Sequence, residues 1–217
     1  MRDDSRTDRP RTNADSAEIA RKLALLGKPH IKPLSVFVQQ LRAEHGDPSI
    51  PWFDPTEAGT KARILLLLEA PGRKATARHG SGFVSPDNND PTAENMWKLL
   101  REARVDRRHE VVTWNVVPWY LGSDHRIRRA TSDDVREAHD ALARLLRLLP
   151  RVRVIVLLGQ RAAEAWEIIG VDLPTIRAPH PSPKNLNSRP NYRGLILQSL
   201  HDARQQAGYT NRKGAAK

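Results

Sequence analysis

His180 lies in the run Ala178-Pro179-His180-Pro181-Ser182-Pro183-Lys184. Prolines at alternate positions fix φ, remove backbone donors and push each preceding residue toward extended geometry. An imidazole on so stiff an arm can meet a reacting atom without reorganising, and Lys184 and Arg189 beside it suit a phosphate backbone. The alternative is a proline-rich surface loop carrying an incidental histidine. Two further residues stand out from their surroundings. Asn115 places a side-chain amide inside the apolar and β-branched run 111–117, where it is either a structural hydrogen-bonding group or an edge-on reader of a ligand. Phe83 is the only aromatic residue in the polar stretch 73–90, and is either a core anchor or a platform for a planar ligand.

Composition narrows the chemistry. The 217 residues hold 36 Lys plus Arg against 25 Asp plus Glu, a formal charge of +11, which favours a polyanionic partner, nucleic acid first. An anionic membrane competes, but no long apolar span, leader or lipidation motif is evident, so a cytoplasmic protein is expected, nucleoid-associated if bacterial. The absence of cysteine excludes disulfides, a thiol nucleophile, Cys-bound zinc and a Cys-ligated iron–sulfur cluster. The eight histidines show no close ligand spacing. No metal and no cofactor are expected, and a monomer is.

The elements that must position these residues alternate in type. Residues 1–15 are polar and predict a disordered arm, 16–208 a single domain, and 209–217 a basic tail. Ile19, Ala20, Leu23 and Leu26 follow helical spacing, as do Leu34, Phe37, Val38 and Leu41. Strands are predicted over 63–68, 111–117, 152–158 and 175–178, with 179–191 a rigid polar loop. Helices are predicted from Thr92, from a capping box at Thr131 and Asp134 to Pro150, from Gly159 to Gly170, and over 193–208. This order predicts an α/β fold, a three-layer α/β/α sandwich around a four-stranded parallel sheet.

In such a sheet the loops after the strands share one edge, where ligands bind. The edge gathers residues 69–83, Asn115, Gly159 and His180, with Arg73, Lys74, Arg78, Arg126, Arg128, Arg129, Lys184 and Arg189 as a basic rim. At this point the chain resembles the uracil-DNA glycosylase superfamily over residues 63–208. Leu68-Glu69-Ala70-Pro71-Gly72 is similar to the first motif of the thermostable branch, and His180-Pro181-Ser182-Pro183 to the last motif of the general uracil-excising branch. The resemblance implies a DNA repair enzyme that flips uracil from DNA and hydrolyses its N-glycosidic bond. In that reading Asn115 reads the base, Phe83 stacks on it, and His180 donates to its O2. Ser182 and the Gly159-Gln160 turn hold phosphates, and Leu186 fills the gap left in the base stack.

Three departures accompany the resemblance. The position of the usual water-orienting residue is Ala70, leaving Glu69 as the neighbouring carboxylate and Asp87 and Asn88 as looser alternatives. The bulky aromatic that excludes thymine falls on Gly72. The iron–sulfur cysteines of the thermostable branch are absent. A uracil-DNA or damaged-DNA binding relative with little turnover is the second expectation. A phosphoester hydrolase is the third, and it would need a metal cluster or phosphate loop that the sequence does not show.

Overall fold

The computed structural model of the chain describes residues 9–122 and 128–209. In order they form α1 (Ser16–Leu23), α2 (Lys32–His45), β1 (Trp52–Phe53), β2 (Ile64–Leu68), β3 (Phe83–Val84), α3 (Pro91–Glu102) and β4 (Val111–Asn115), followed by α4 (Ser132–Leu148), β5 (Val154–Leu158), α5 (Gln160–Ile169), β6 (Thr175–Ala178), α6 (Pro183–Ser188) and α7 (Tyr192–Gln206). The expected parallel sheet is present, with strand order β4-β2-β5-β6. Leu68 registers with Asn115, and Leu158 with Ala178.

Unbroken apolar strands follow from burial on both faces. Leu65 and Leu67 pack with residues of α2, α4 and α5, whereas Ile64 and Leu66 pack with residues of α3 and α7. Truncating one of these fully buried leucines to alanine costs about 2–5 kcal/mol in comparable cores. The chain leaves β2 for β4 on one side and reaches β5 on the other, so the strand order reverses at β2 and opens a crevice beyond the carboxyl ends. The capping box at Thr131 and Asp134 forms as its spacing predicts. Asp90 starts α3 by accepting from the backbone N–H groups of Thr92 and Ala93, both at 2.9 Å.

The structure departs from the sequence reading in four places. On α1 the apolar stripe is not the buried face: Leu23 is 45% exposed, while Lys22 is fully buried. The described part of the expected arm is tied down, since Asn13 is buried and donates to Asn88 at 2.8 Å and Arg11 pairs with Glu94 at 2.7 Å. The loop after β6 contains a helix, α6, capped by Ser182. Residues 52–53 and 83–84, where no strand is predicted, meet as the parallel pair β1 and β3. Arg126 and residues 1–8 and 210–217 of the arm and tail lie outside the described residues.

Candidate functional site

A cavity of about 410 Å³ opens at the carboxyl edge of the sheet. Its wall combines the turn after β2 (Leu68, Ala70, Pro71, Gly72), the short helical turn with Arg73 and Lys74, the residues Val84, Ser85, Pro86 and Asn88, and the start of α3. Thr113 and Asn115 of β4 and His180 with Pro181 complete it. Asn115 is 2% exposed, and its Nδ2 has no hydrogen-bond partner among the described residues. An unsatisfied buried donor costs about 1–3 kcal/mol. That cost is recovered when a ligand carbonyl enters and accepts from the amide.

His180 faces the same cavity, and three contacts fix its arm. Asn185 Nδ2 donates to the His180 carbonyl at 3.1 Å, and Asn95 Nδ2 donates to the Pro181 carbonyl at 2.9 Å. Behind the ring lies Gly159, whose φ of 103° admits only glycine readily. A Cβ built there would stand 2.9 Å from the His180 Cβ. Burial lowers the imidazole pKa from its ordinary value, against a smaller opposing pull from Asp90. His180 is therefore a neutral ring at neutral pH, able to donate one N–H without carrying a charge into an apolar wall.

The model of the Uracil DNA glycosylase superfamily matches residues 55–201. The chain belongs to that superfamily. Among solved structures it is similar to a candidate uracil DNA glycosylase of Methanosarcina acetivorans, solved by NMR, at 16% identity and TM-score 0.40, covering 66% of this chain and 92% of that one. It is also similar to the wild-type UNG crystal structure from Nitratifractor salsuginis, at 12% identity and TM-score 0.43, covering 88% of this chain and 98% of that one. No curated protein matches it.

Within this superfamily frame, the sequence-derived site divides. His180, Asn115, Ala70, Gly72 and Arg73 line the cavity together. Glu69 does not: β2 alternates its faces, and Glu69 Oε1 accepts from the Ala130 backbone N–H at 2.7 Å. Phe83 is fully buried in β3 and is not a lining residue, so no phenyl platform reaches the cavity from that position. Leu186 is partly buried against the core beneath α6. Gln160 is exposed and hydrogen-bonded to Glu164 at 2.8 Å, beside the buried Gly159. Ser182 accepts from Asn185 N at 3.4 Å as the cap of α6, with Lys184 exposed on that helix and Arg189 exposed just after it. Arg128 of the expected rim pairs with Asp134 at 2.5 Å.

The looser alternatives to Glu69 are also engaged. Asn88 Nδ2 donates to the Phe83 carbonyl at 2.8 Å, and its Oδ1 accepts from Ser81 at 2.6 Å. Asp87 belongs to a buried quartet. Lys22 stands 2.7 Å from Asp54 and 2.8 Å from Asp87, and Arg107 stands 2.8 Å from Asp87 and 3.5 Å from Asp54. Burial opposes the charge on Asp54, yet Lys22 and Arg107 outweigh it and hold the carboxyl well below its usual range. Among the described residues, the carboxylate that does line the cavity is Asp90. In the sequence Asp90 is the last residue of the polar stretch 73–90, where nothing separates it from its neighbours; in the structure its Oδ1 caps α3.

Proposed function

We propose that the protein is a monofunctional DNA glycosylase that flips uracil into this cavity and hydrolyses its N-glycosidic bond, leaving an abasic site. The observation that carries the reading is the Asn115 amide, unpartnered among the described residues, in a cavity shared with His180. A base within a duplex is out of reach, so it must be extruded and read by its Watson–Crick edge. Asn115 Nδ2 donates to uracil O4 and its Oδ1 accepts from N3–H. Cytosine presents the reversed pair, leaving buried groups unsatisfied at about 1–3 kcal/mol.

As the bond between C1′ and N1 breaks, positive charge grows on the sugar and negative charge on the base. The neutral His180 N–H donates to uracil O2 where that charge collects; a preorganised donor of this kind contributes about a hundredfold to a thousandfold in rate. Asp90 uses Oδ1 for the α3 amides, which leaves Oδ2 to hold the attacking water and face the cationic sugar. The water oxygen bonds to C1′, and its proton neutralises the departing uracil anion. Arg73 and Lys74 of the cavity wall, with the exposed Lys184 and Arg189 after β6, bind the DNA phosphates.

The test is incubation with an oligonucleotide containing one uracil, followed by alkaline cleavage of abasic sites. Strand scission at the uracil position is expected. An intact strand with retained uracil-dependent binding would instead identify a relative without turnover.

A further inference from the structure

Thr113 precedes Asn115 by two residues on β4, so both side chains leave the same face of the strand, and both line the cavity. The polar groups of Thr113 are held by one acid from the segment before β2. Glu57 is 1% exposed; its Oε2 accepts from Thr113 N at 2.7 Å, and its Oε1 stands 2.8 Å from Thr113 Oγ1. The second contact can be shared in two ways. An ionised Glu57 takes the Thr113 hydroxyl as its donor, leaving only lone pairs for a ligand. A neutral Glu57 carries its proton on Oε1, since Oε2 is occupied by the N–H, and donates it to Thr113 Oγ1. The Thr113 hydrogen is then released to the cavity.

Charge stoichiometry selects the neutral form. Lys22 and Arg107 balance Asp54 and Asp87, and no ion pair among the described residues includes Glu57. A third carboxylate would be an uncompensated charge out of water. Asp54 and Arg107 act on Glu57 from the quartet, while Arg21, His30, Lys61, Arg108 and His109 border the cleft on its outer side. Burial, reinforced by the Asp54 charge, outweighs Arg107 and pushes the carboxyl up to about 8.

We infer that Thr113 donates a second hydrogen bond beside Asn115 to an oxo group of the bound base, and that neutral Glu57 is the positioning residue that turns the hydroxyl toward it. The inference rests on the glycosylase reading and adds to it a second specificity-determining side chain, Thr113, with Glu57 behind it. A carbonyl offers two lone pairs to the two donors, whereas an amino group meets them donor to donor and is rejected.

The experiment measures binding of duplexes carrying a non-hydrolysable 2′-fluoroarabino nucleotide of uracil or of cytosine, from about pH 6 to about pH 9, bracketing the Glu57 titration. Thr113→Val is expected to lower the uracil-over-cytosine preference about tenfold, the worth of one hydrogen bond, and Thr113→Ser to keep it. The parent's preference falls as pH rises through about 8. Glu57→Gln retains an acceptor for Thr113 N and a donor for Thr113 Oγ1, and removes that fall; ionisation of uracil itself affects every variant alike. Parental preference in Thr113→Val, or an unchanged alkaline loss in Glu57→Gln, overturns the inference. If the parent still binds and excises uracil, it falls alone. A parent that neither binds nor excises uracil overturns the functional reading and this inference with it.

Discussion

Replacing Glu57 with glutamine should stabilise the protein at neutral pH, by an amount that follows from the carboxyl's burial. Unfolded, the group titrates near its ordinary 4.5; folded, it is pushed up to about 8. Between those values the folded chain binds a proton that the unfolded chain does not, so stability falls as pH rises, by about 1.4 kcal/mol per pH unit. The contribution is fully present below 4.5 and lost as pH climbs to about 8. At pH 7 about two and a half units have been crossed, or on the order of 3 kcal/mol, and Glu57→Gln is free of that loss. For a chain of this size the gain corresponds to about 6–12 °C in Tm. Urea denaturation of both proteins at several pH values between about 5 and about 8 reads it directly. Asp54 and the other depressed acids contribute the opposite slope to both proteins and cancel in the difference. A difference that stays constant with pH would show Glu57 ionised in the folded state and remove the basis for Thr113 as a donor.

His180→Ala should slow single-turnover uracil excision by about a hundredfold to a thousandfold with unchanged thermal melting; near-parental excision would contradict its role. Asn115→Asp replaces the amide donor with an acceptor and should release cytosine from ordinary DNA, whereas unchanged uracil excision would make Asn115 structural. Asp90→Asn retains a helix cap, so stability should hold while the rate drops about a hundredfold; an unchanged rate would confine Asp90 to capping α3. Lys22→Met leaves Asp54 and Asp87 sharing one guanidinium and should cost about 3–5 kcal/mol, read as a lower urea midpoint and partly restored by adding Asp54→Asn; an unchanged midpoint would show the quartet to be dispensable.

Apolar patterning made the architecture legible. A run such as Ile64–Leu68 carries its own evidence, since five consecutive apolar residues bounded by Pro71 suit a strand covered on both faces. Parallel connectivity then puts Asn115 and His180 on one edge without further information. Pairings between distant polar groups were not legible. Lys22 meets partners 32 and 65 residues away, and nothing in its local pattern distinguishes it from a solvated lysine on an amphipathic helix. Glu69 was placed at the right strand end on the wrong side, because whether a side chain at the end of β2 turns inward depends on an acceptor-seeking N–H at Ala130. Phe83 looked conspicuous among polar neighbours, yet those neighbours, Ser81, Ser85 and Asn88, are themselves buried. Glu57 sits in a turn-rich segment where an acid is unremarkable.

Glu57 also has a consequence for the company the sheet keeps. β4 is an outer strand, and an outer strand displays unpaired backbone groups on which another polypeptide can assemble. The Thr113 N–H is taken by Glu57, and the Val111 carbonyl accepts from Ala58 N at 3.0 Å, so two consecutive residues occupy part of that border. The opposite border, β6, is only four residues long and bears Arg177 paired with Glu167, a short charged margin ill suited to intermolecular strand addition. Both margins of a sheet rich in leucine and valine thus carry features that disfavour strand addition by another molecule. The acid that orients a hydroxyl toward the ligand belongs to the same turn that keeps neighbouring molecules off.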